Sequence, residues 1–230
     1  MSIKTLLLTS LFILNLSANE RIISLSPSIT EIRFALGKGE DIVATSAYSL
    51  YPEGAKKIPI VGGYESPHLE KILAFSPTLV IGQTYNQTLL DKLKHFKIKT
   101  LTLKLTSIQN IKESITTLAQ TLNSLHHKQL ITNIDNAVLK ANKNTNPHSV
   151  MIVYGLREDL RRATYIAGHD IFFEDIIHEC GNTNAYTEDS TAQPVLNYEN
   201  IIAINPEQII ILHSLATEKD ADVKQALQNW

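Results

Sequence analysis

One segment occurs twice in this chain. Leu69-Glu70-Lys71-Ile72-Leu73-Ala74-Phe75-Ser76-Pro77-Thr78-Leu79-Val80-Ile81 is matched by Tyr198-Glu199-Asn200-Ile201-Ile202-Ala203-Ile204-Asn205-Pro206-Glu207-Gln208-Ile209-Ile210, with Glu, Ile, Ala and Pro in corresponding places. Each reads as a short helix that turns its apolar residues toward a sheet, ends at a proline and leads into a buried strand. A repeated helix, proline and strand unit constrains the chain to two equivalent α/β lobes rather than one domain.

The surrounding pattern agrees. From Arg21 onward, β-rich runs alternate with amphipathic stretches, which predicts βα units and a mostly parallel sheet. Strands are expected at Ile22 to Leu25, Ile42 to Thr45, Leu79 to Ile81 and Thr100 to Leu103. Helices are expected at Thr30 to Leu36, Leu69 to Phe75, Thr88 to Phe96 and Ile108 to Leu122, with Gly37 stopping the first. Leu125 to Asn142 lacks Gly and Pro and repeats Leu130, Ile134 and Val138 every four residues, so it reads as one rigid linking helix. A second half follows, with strands at Val150 to Tyr154, Thr164 to Ala167 and Ile209 to Leu212 and helices at Ile171 to Cys180, Tyr198 to Ile204 and Ala221 to Leu227. The fold class is therefore α/β, two Rossmann-like lobes joined by a single long helix: 19–124 for the N-terminal lobe, 125–142 for the helix and 143–230 for the C-terminal lobe.

Residues 1–18 stand apart. Lys4 precedes the apolar run Leu6 to Leu16, and Ser17-Ala18 suits cleavage before Asn19, so this segment reads as a signal peptide too short to span a membrane. The only cysteine, Cys180, rules out an intrachain disulfide and lies far from the cleavage point, where a lipoprotein needs one. A freely soluble periplasmic protein is expected. With 230 residues, 43% hydrophobic and 19% charged, and a formal net charge of −2, the chain has a globular composition without the basic face of a nucleic-acid binder.

Enzyme chemistry finds little purchase. No G-x-G-x-x-G or P-loop follows any strand, neither Ser26 nor Cys180 carries a nucleophile motif, and Cys180 closes an apolar face with Ile176 and Ile177. His68, His126, His127, His169, His178 and His213 show no metal-ligand spacing, so no metal site is expected, with His169 beside a cleft loop the one to test.

Open α/β sheets bind ligands beyond the carboxyl ends of their strands. The loops there hold Tyr48, Tyr51, Tyr64, Tyr85 and Tyr165, rings with a polar tip that suit a large flat ligand with a wet rim. Arg157, Arg161 and Arg162 crowd the loop before Thr164. They read either as solvated charge near Glu158 and Asp159 or as a clamp for an anionic chelate, with Arg161 the ligand candidate.

Arg21-Ile22-Ile23-Ser24-Leu25-Ser26-Pro27-Ser28-Ile29-Thr30-Glu31, Tyr51-Pro52, Ile60-Val61-Gly62-Gly63-Tyr64 and the Leu69 to Ile81 segment together resemble the cobalamin and iron-chelate periplasmic binding proteins of ABC importers. The resemblance runs from Arg21 to about Trp230. It implies a ligand cleft between the lobes, a cobalt corrinoid, haem or ferric siderophore as cargo with no resident cofactor, and a monomer that delivers to a dimeric inner-membrane ABC transporter permease. By position Tyr64 resembles the aromatic that packs on the corrin ring, and Tyr48 or Tyr51 another cleft aromatic. The second-lobe tryptophan of the cobalamin binders is replaced near Pro194-Val195. Glu70 and Glu199, each in the first turn of its helix, resemble the surface glutamates that pair with permease arginines; the same carboxylates also offset the helix dipole, and both roles are compatible. The family closes its second lobe with a further strand and helix beyond the point matching Trp230, so that lobe is expected to be truncated. Two rival readings stay open, a scaffold without cargo and a nucleotide-dependent α/β enzyme.

Overall fold

The structure, a computed structural model, describes residues 20–141, 145–155, 163–188, 191–213 and residue 224. The expected signal peptide, Arg157, Arg161, Arg162, Asn142 and most of the Ala221 to Leu227 helix lie outside the described residues.

Consecutive apolar residues on the first strands send side chains to opposite faces of a sheet, and both faces must then be covered. The elements doing so are β1 (Ile22–Ser24), α1 (Pro27–Ala35), β2 (Ile42–Thr45), α2 (Leu69–Ala74), β3 (Leu79–Gln83), α3 (Gln87–His95), β4 (Lys99–Leu103) and α4 (Ile108–Thr121). The strands form a four-stranded parallel sheet in the order β2-β1-β3-β4. Ile22 and Ile81 join Ile29 of α1 and Ile115 and Leu118 of α4 on one face. Ile23 and Val80 meet Ile72 of α2 and Leu90 and Leu93 of α3 on the other.

The linking helix, α5 (His127–Lys140), begins two residues later than the sequence pattern implies. Ser124 is the reason: its hydroxyl donates to the Leu36 carbonyl at 2.7 Å and accepts the His126 N–H at 3.3 Å, which leaves Leu125 in an exposed turn. No residue of α5 is fully buried, but Leu130, Ile131 and Ile134 pack against the first lobe's core.

The second half holds β5 (Ser149–Tyr154), β6 (Thr164–Ile166), α6 (Phe172–Glu179), β7 (Thr183–Asn184), β8 (Val195–Leu196), α7 (Tyr198–Ile204) and β9 (Gln208–Leu212). Its sheet is mixed: β7 and β9 run parallel to β5, whereas β6 is antiparallel to both β5 and β8. β7 and β8 have two residues each, too short to show a period in sequence. Met151 and Val153 pack toward Ile201 of α7, and Val150 and Ile152 toward Ile177 of α6. No helix among the described residues is long and apolar enough to cross a membrane.

Candidate functional site

The parallel sheet dictates where a ligand can approach. β1 connects to β2 on one side and neighbours β3 on the other, so the loops after β1 and β3 diverge and leave a crevice at their carboxyl ends. Gln83, closing β3, bridges that point by donating from its side-chain amide to the Ser26 hydroxyl at 2.7 Å.

Beneath the crevice lies a set of buried hydroxyls. Thr30 Oγ1 lies 2.9 Å from Ser24 Oγ and 2.8 Å from Thr45 Oγ1, and Thr45 Oγ1 lies 2.9 Å from Ser49 Oγ, a hydroxyl chain in which each group donates one hydrogen bond. All four side chains are buried, so each bond replaces water that cannot reach them. The network ties the loop after β2 to α1 and thereby holds Tyr48, which is 74% exposed and has φ 68°, a left-handed conformation uncommon for a residue with a side chain.

Tyr64 and Tyr85 form an edge-to-face pair, centroids 5.9 Å apart and planes at 76°. Burial pushes the Tyr64 phenol up, reinforced by the carboxylate of Glu65 and then by Tyr48; the Ala47 N–H donates to the Gly62 carbonyl at 2.8 Å, so the loop carrying Tyr48 runs alongside the one carrying Tyr64. Burial also pushes up Tyr85, against the lowering effect of its hydrogen bond with Ser26. Both phenols therefore stay protonated at neutral pH and offer an apolar ring with a donor tip.

Of the sequence candidates, the structure pairs Tyr64 with Tyr85 and brings the Tyr48 loop alongside the Tyr64 loop. Tyr51 is exposed on the Tyr48 loop. Tyr165 stands on the second lobe, opposite Tyr154 in the β5–β6 ladder and 43% exposed. Arg161 lies outside the described residues. Glu70 and Glu199 occupy the same second position of α2 and α7, both exposed, and among the described residues neither is in an ion pair.

His169, the histidine singled out for testing, has its Nδ1 held by Glu174 Oε1 at 2.6 Å. Among the described residues no group of three or more His, Cys, Asp or Glu side chains could form a metal cage.

Two features escaped the sequence reading. Asp175 on α6 accepts the Ile108 N–H at 2.6 Å, so a second-lobe carboxylate occupies the amino end of α4 in the first lobe. It lines a groove of about 700 Å³ between α4, α5 and α6 that also includes the Lys112–Asp135 ion pair. Asn86 is the other, buried between Tyr64 and Gln83. Its signal was slight, an Asn three residues after the strand-closing Gln83, the spacing of a capping box.

Comparison with known proteins adds an independent line. The Periplasmic binding protein family matches residues 22–229. The vitamin B12-binding protein of Yersinia pestis (strain Pestoides F) is 30% identical over 213 residues, covering 89% of this chain and 74% of its own length. The periplasmic haem-binding protein of Roseiflexus sp. RS-1 superposes with a TM-score of 0.72 at 27% identity, covering 90% of this chain and 78% of that one. The periplasmic haem-binding protein of Vibrio cholerae gives 0.69 at 25%, covering 84% and 76%. Repeat, topology and these matches agree that the chain belongs to the periplasmic binding protein family.

Proposed function

We propose that this chain is the periplasmic substrate-binding protein of an ABC importer, taking up a metal chelate, whether a cobalt corrinoid, haem or a ferric siderophore, and delivering it to a permease dimer in the inner membrane. The observation that carries this reading is the edge-to-face pair of Tyr64 and Tyr85 at the carboxyl end of a parallel sheet, with the Tyr48 loop running alongside. Aromatic rings with polar tips suit a flat conjugated ligand with a polar rim, and relatives bearing vitamin B12-binding and haem-binding names fit that chemistry. The equivalent, exposed positions of Glu70 and Glu199 support docking to a two-fold partner through arginines. The Lys4 to Ala18 segment supports secretion as a soluble protein.

Titration of cyanocobalamin, haemin and a ferric siderophore into the mature protein tests the reading. One of them is expected to bind, with Tyr64→Ala weakening it by about tenfold or more; binding of none would overturn it in favour of a scaffold. In the same strain background, combining Glu70→Ala with Glu199→Ala is expected to abolish uptake and leave chelate affinity intact. Normal uptake would remove the docking role.

A further inference from the structure

Tyr64 sits in a loop that has little of its own to fix it. Gly62, at φ 138°, and Gly63 precede it, an isolated bridge between Gly62 and Pro67 closes the turn, and the Gly62 carbonyl accepts the Ala47 N–H at 2.8 Å. Tyr85 lies on a separate element, in the short 3-10 turn Thr84–Asn86 after β3. Tyr64 is hydrogen-bonded to Glu65 and Tyr85 to Ser26, but neither bond connects the two segments.

Asn86 supplies the connection. Its side chain is buried, with 3% of the residue exposed, and both ends of the amide are engaged. Nδ2 donates to the Tyr64 carbonyl at 2.8 Å, and Oδ1 accepts the Gln83 N–H at 3.0 Å. Gly82 leaves it room, since a Cβ there would come within 2.9 Å of Asn86 Oδ1. Gln83 is in turn fixed to Ser26. One amide thus joins the Tyr64 loop, the Tyr85 turn and the end of β3 to the crevice at the switch point.

We propose that Asn86 is a positioning residue for the ligand site: its amide clasps the Tyr64 loop to the Tyr85 turn, holding the two rings edge to face and so selecting a rigid flat ligand. This rests on the reading of the cleft as a chelate site, but the clasp itself exists without ligand. A pre-set ring pair spares the ligand the cost of ordering a glycine-rich loop, so loss of the clasp weakens binding without removing any atom that touches the ligand. Asparagine suits the place because one end must donate to a carbonyl and the other accept from an N–H. Aspartate keeps the volume and the acceptor and loses the donor.

The experiment compares wild type, Asn86→Asp, Gly82→Ala and Tyr64→Ala by near-ultraviolet circular dichroism of the ligand-free protein and by titration with haemin and cyanocobalamin. Asn86→Asp is expected to retain the wild-type far-ultraviolet spectrum, to lose much of the tyrosine band, and to bind the tighter probe about tenfold more weakly, equivalent to about 1.4 kcal/mol. Placed on Tyr64→Ala, it is expected to cause little further loss, because the ring it positions is gone. Gly82→Ala, which displaces the amide without replacing it, is expected to reproduce the weakening if the aspartate variant does not fold. An unchanged tyrosine band with full affinity, or a loss that adds fully to that of Tyr64→Ala, would overturn the proposal. If wild type binds neither probe, the chelate reading is what has failed, and the ligand-free spectra alone decide the clasp: an unchanged band in both variants overturns it.

Discussion

The two occurrences of the repeated segment share a backbone and differ in what surrounds them. Each helix carries a buried isoleucine, Ile72 or Ile201, at the same position, ends in a left-handed residue, Ser76 at φ 44° or Asn205 at φ 51°, and passes through a proline into a strand parallel to its neighbour. Yet β3 lies between β1 and β4, with Val80 and Ile81 at 0% exposure. β9 pairs with β5 alone among the described strands, and Ile209 and Ile210 are 37% and 46% exposed. The comparison separates two things the sequence pattern merges: apolar spacing sets strand and helix, whereas burial depends on what lies alongside.

The sharpest way to break that contrast is the same substitution at matched positions. Ile81→Thr places a hydroxyl in a closed core and is expected to cost about 3 kcal/mol, whereas Ile210→Thr on the open strand is expected to cost under about 0.5 kcal/mol. Urea denaturation measures both, and equal losses would mean that β9 is as enclosed as β3. A smaller effect distinguishes the helix starts. Asn197 caps α7 by accepting the Asn200 N–H at 2.8 Å, with Asn200 answering at the Asn197 N–H, while His68 makes no side-chain cap on α2. Asn197→Ala should therefore cost about 1 kcal/mol and His68→Ala close to nothing; thermal melts that rank them the other way would refute the capping assignment.

The smallest effect concerns alkaline pH and contrasts the tyrosines of the lobes. In the second lobe burial pushes Tyr154 up to about 12, and its hydroxyl has no hydrogen-bond partner among the described residues. Between the ordinary value of 10.0 and about 12 the unfolded chain gives up this proton and the folded one keeps it, so stability falls as pH rises through that window. Tyr154→Phe is expected to shallow the decline in urea midpoint over this range and to leave neutral stability nearly unchanged, because no hydrogen bond is lost. A slope identical to wild type would show that other groups, with Tyr64 and Tyr85 of the first lobe foremost, dominate alkaline unfolding.

Much of the fold was legible because its signals are local. Apolar runs marked β1, β2, β3 and β5, and helix periodicity marked α3, α4 and α5 to within a few residues. Gly37 and Gly181, at φ 71° and 75°, end their helices as glycine after a periodic run implies. What escaped was non-local or too short to carry a period. β8, Val195–Leu196, which pairs with the antiparallel β6, has only two residues, and the interlobe hydrogen bond from Ile108 to Asp175 spans 67 positions. The site divides the same way: tyrosines after strands were visible as candidates, but which of them meet was not.

The sequence by itself determined two α/β halves, the helix between them, the matched glutamates and a supply of tyrosines at strand ends, since each follows from spacing and residue type along the chain. Only the tertiary structure decided that Tyr64 and Tyr85 meet edge to face, that the Asn86 amide joins their segments, that buried hydroxyls fix the Tyr48 loop, and that β3 is enclosed while β9 lies open. Those outcomes depend on which segments become neighbours across tens of residues, a matter of packing and hydrogen-bond satisfaction that local periodicity does not encode.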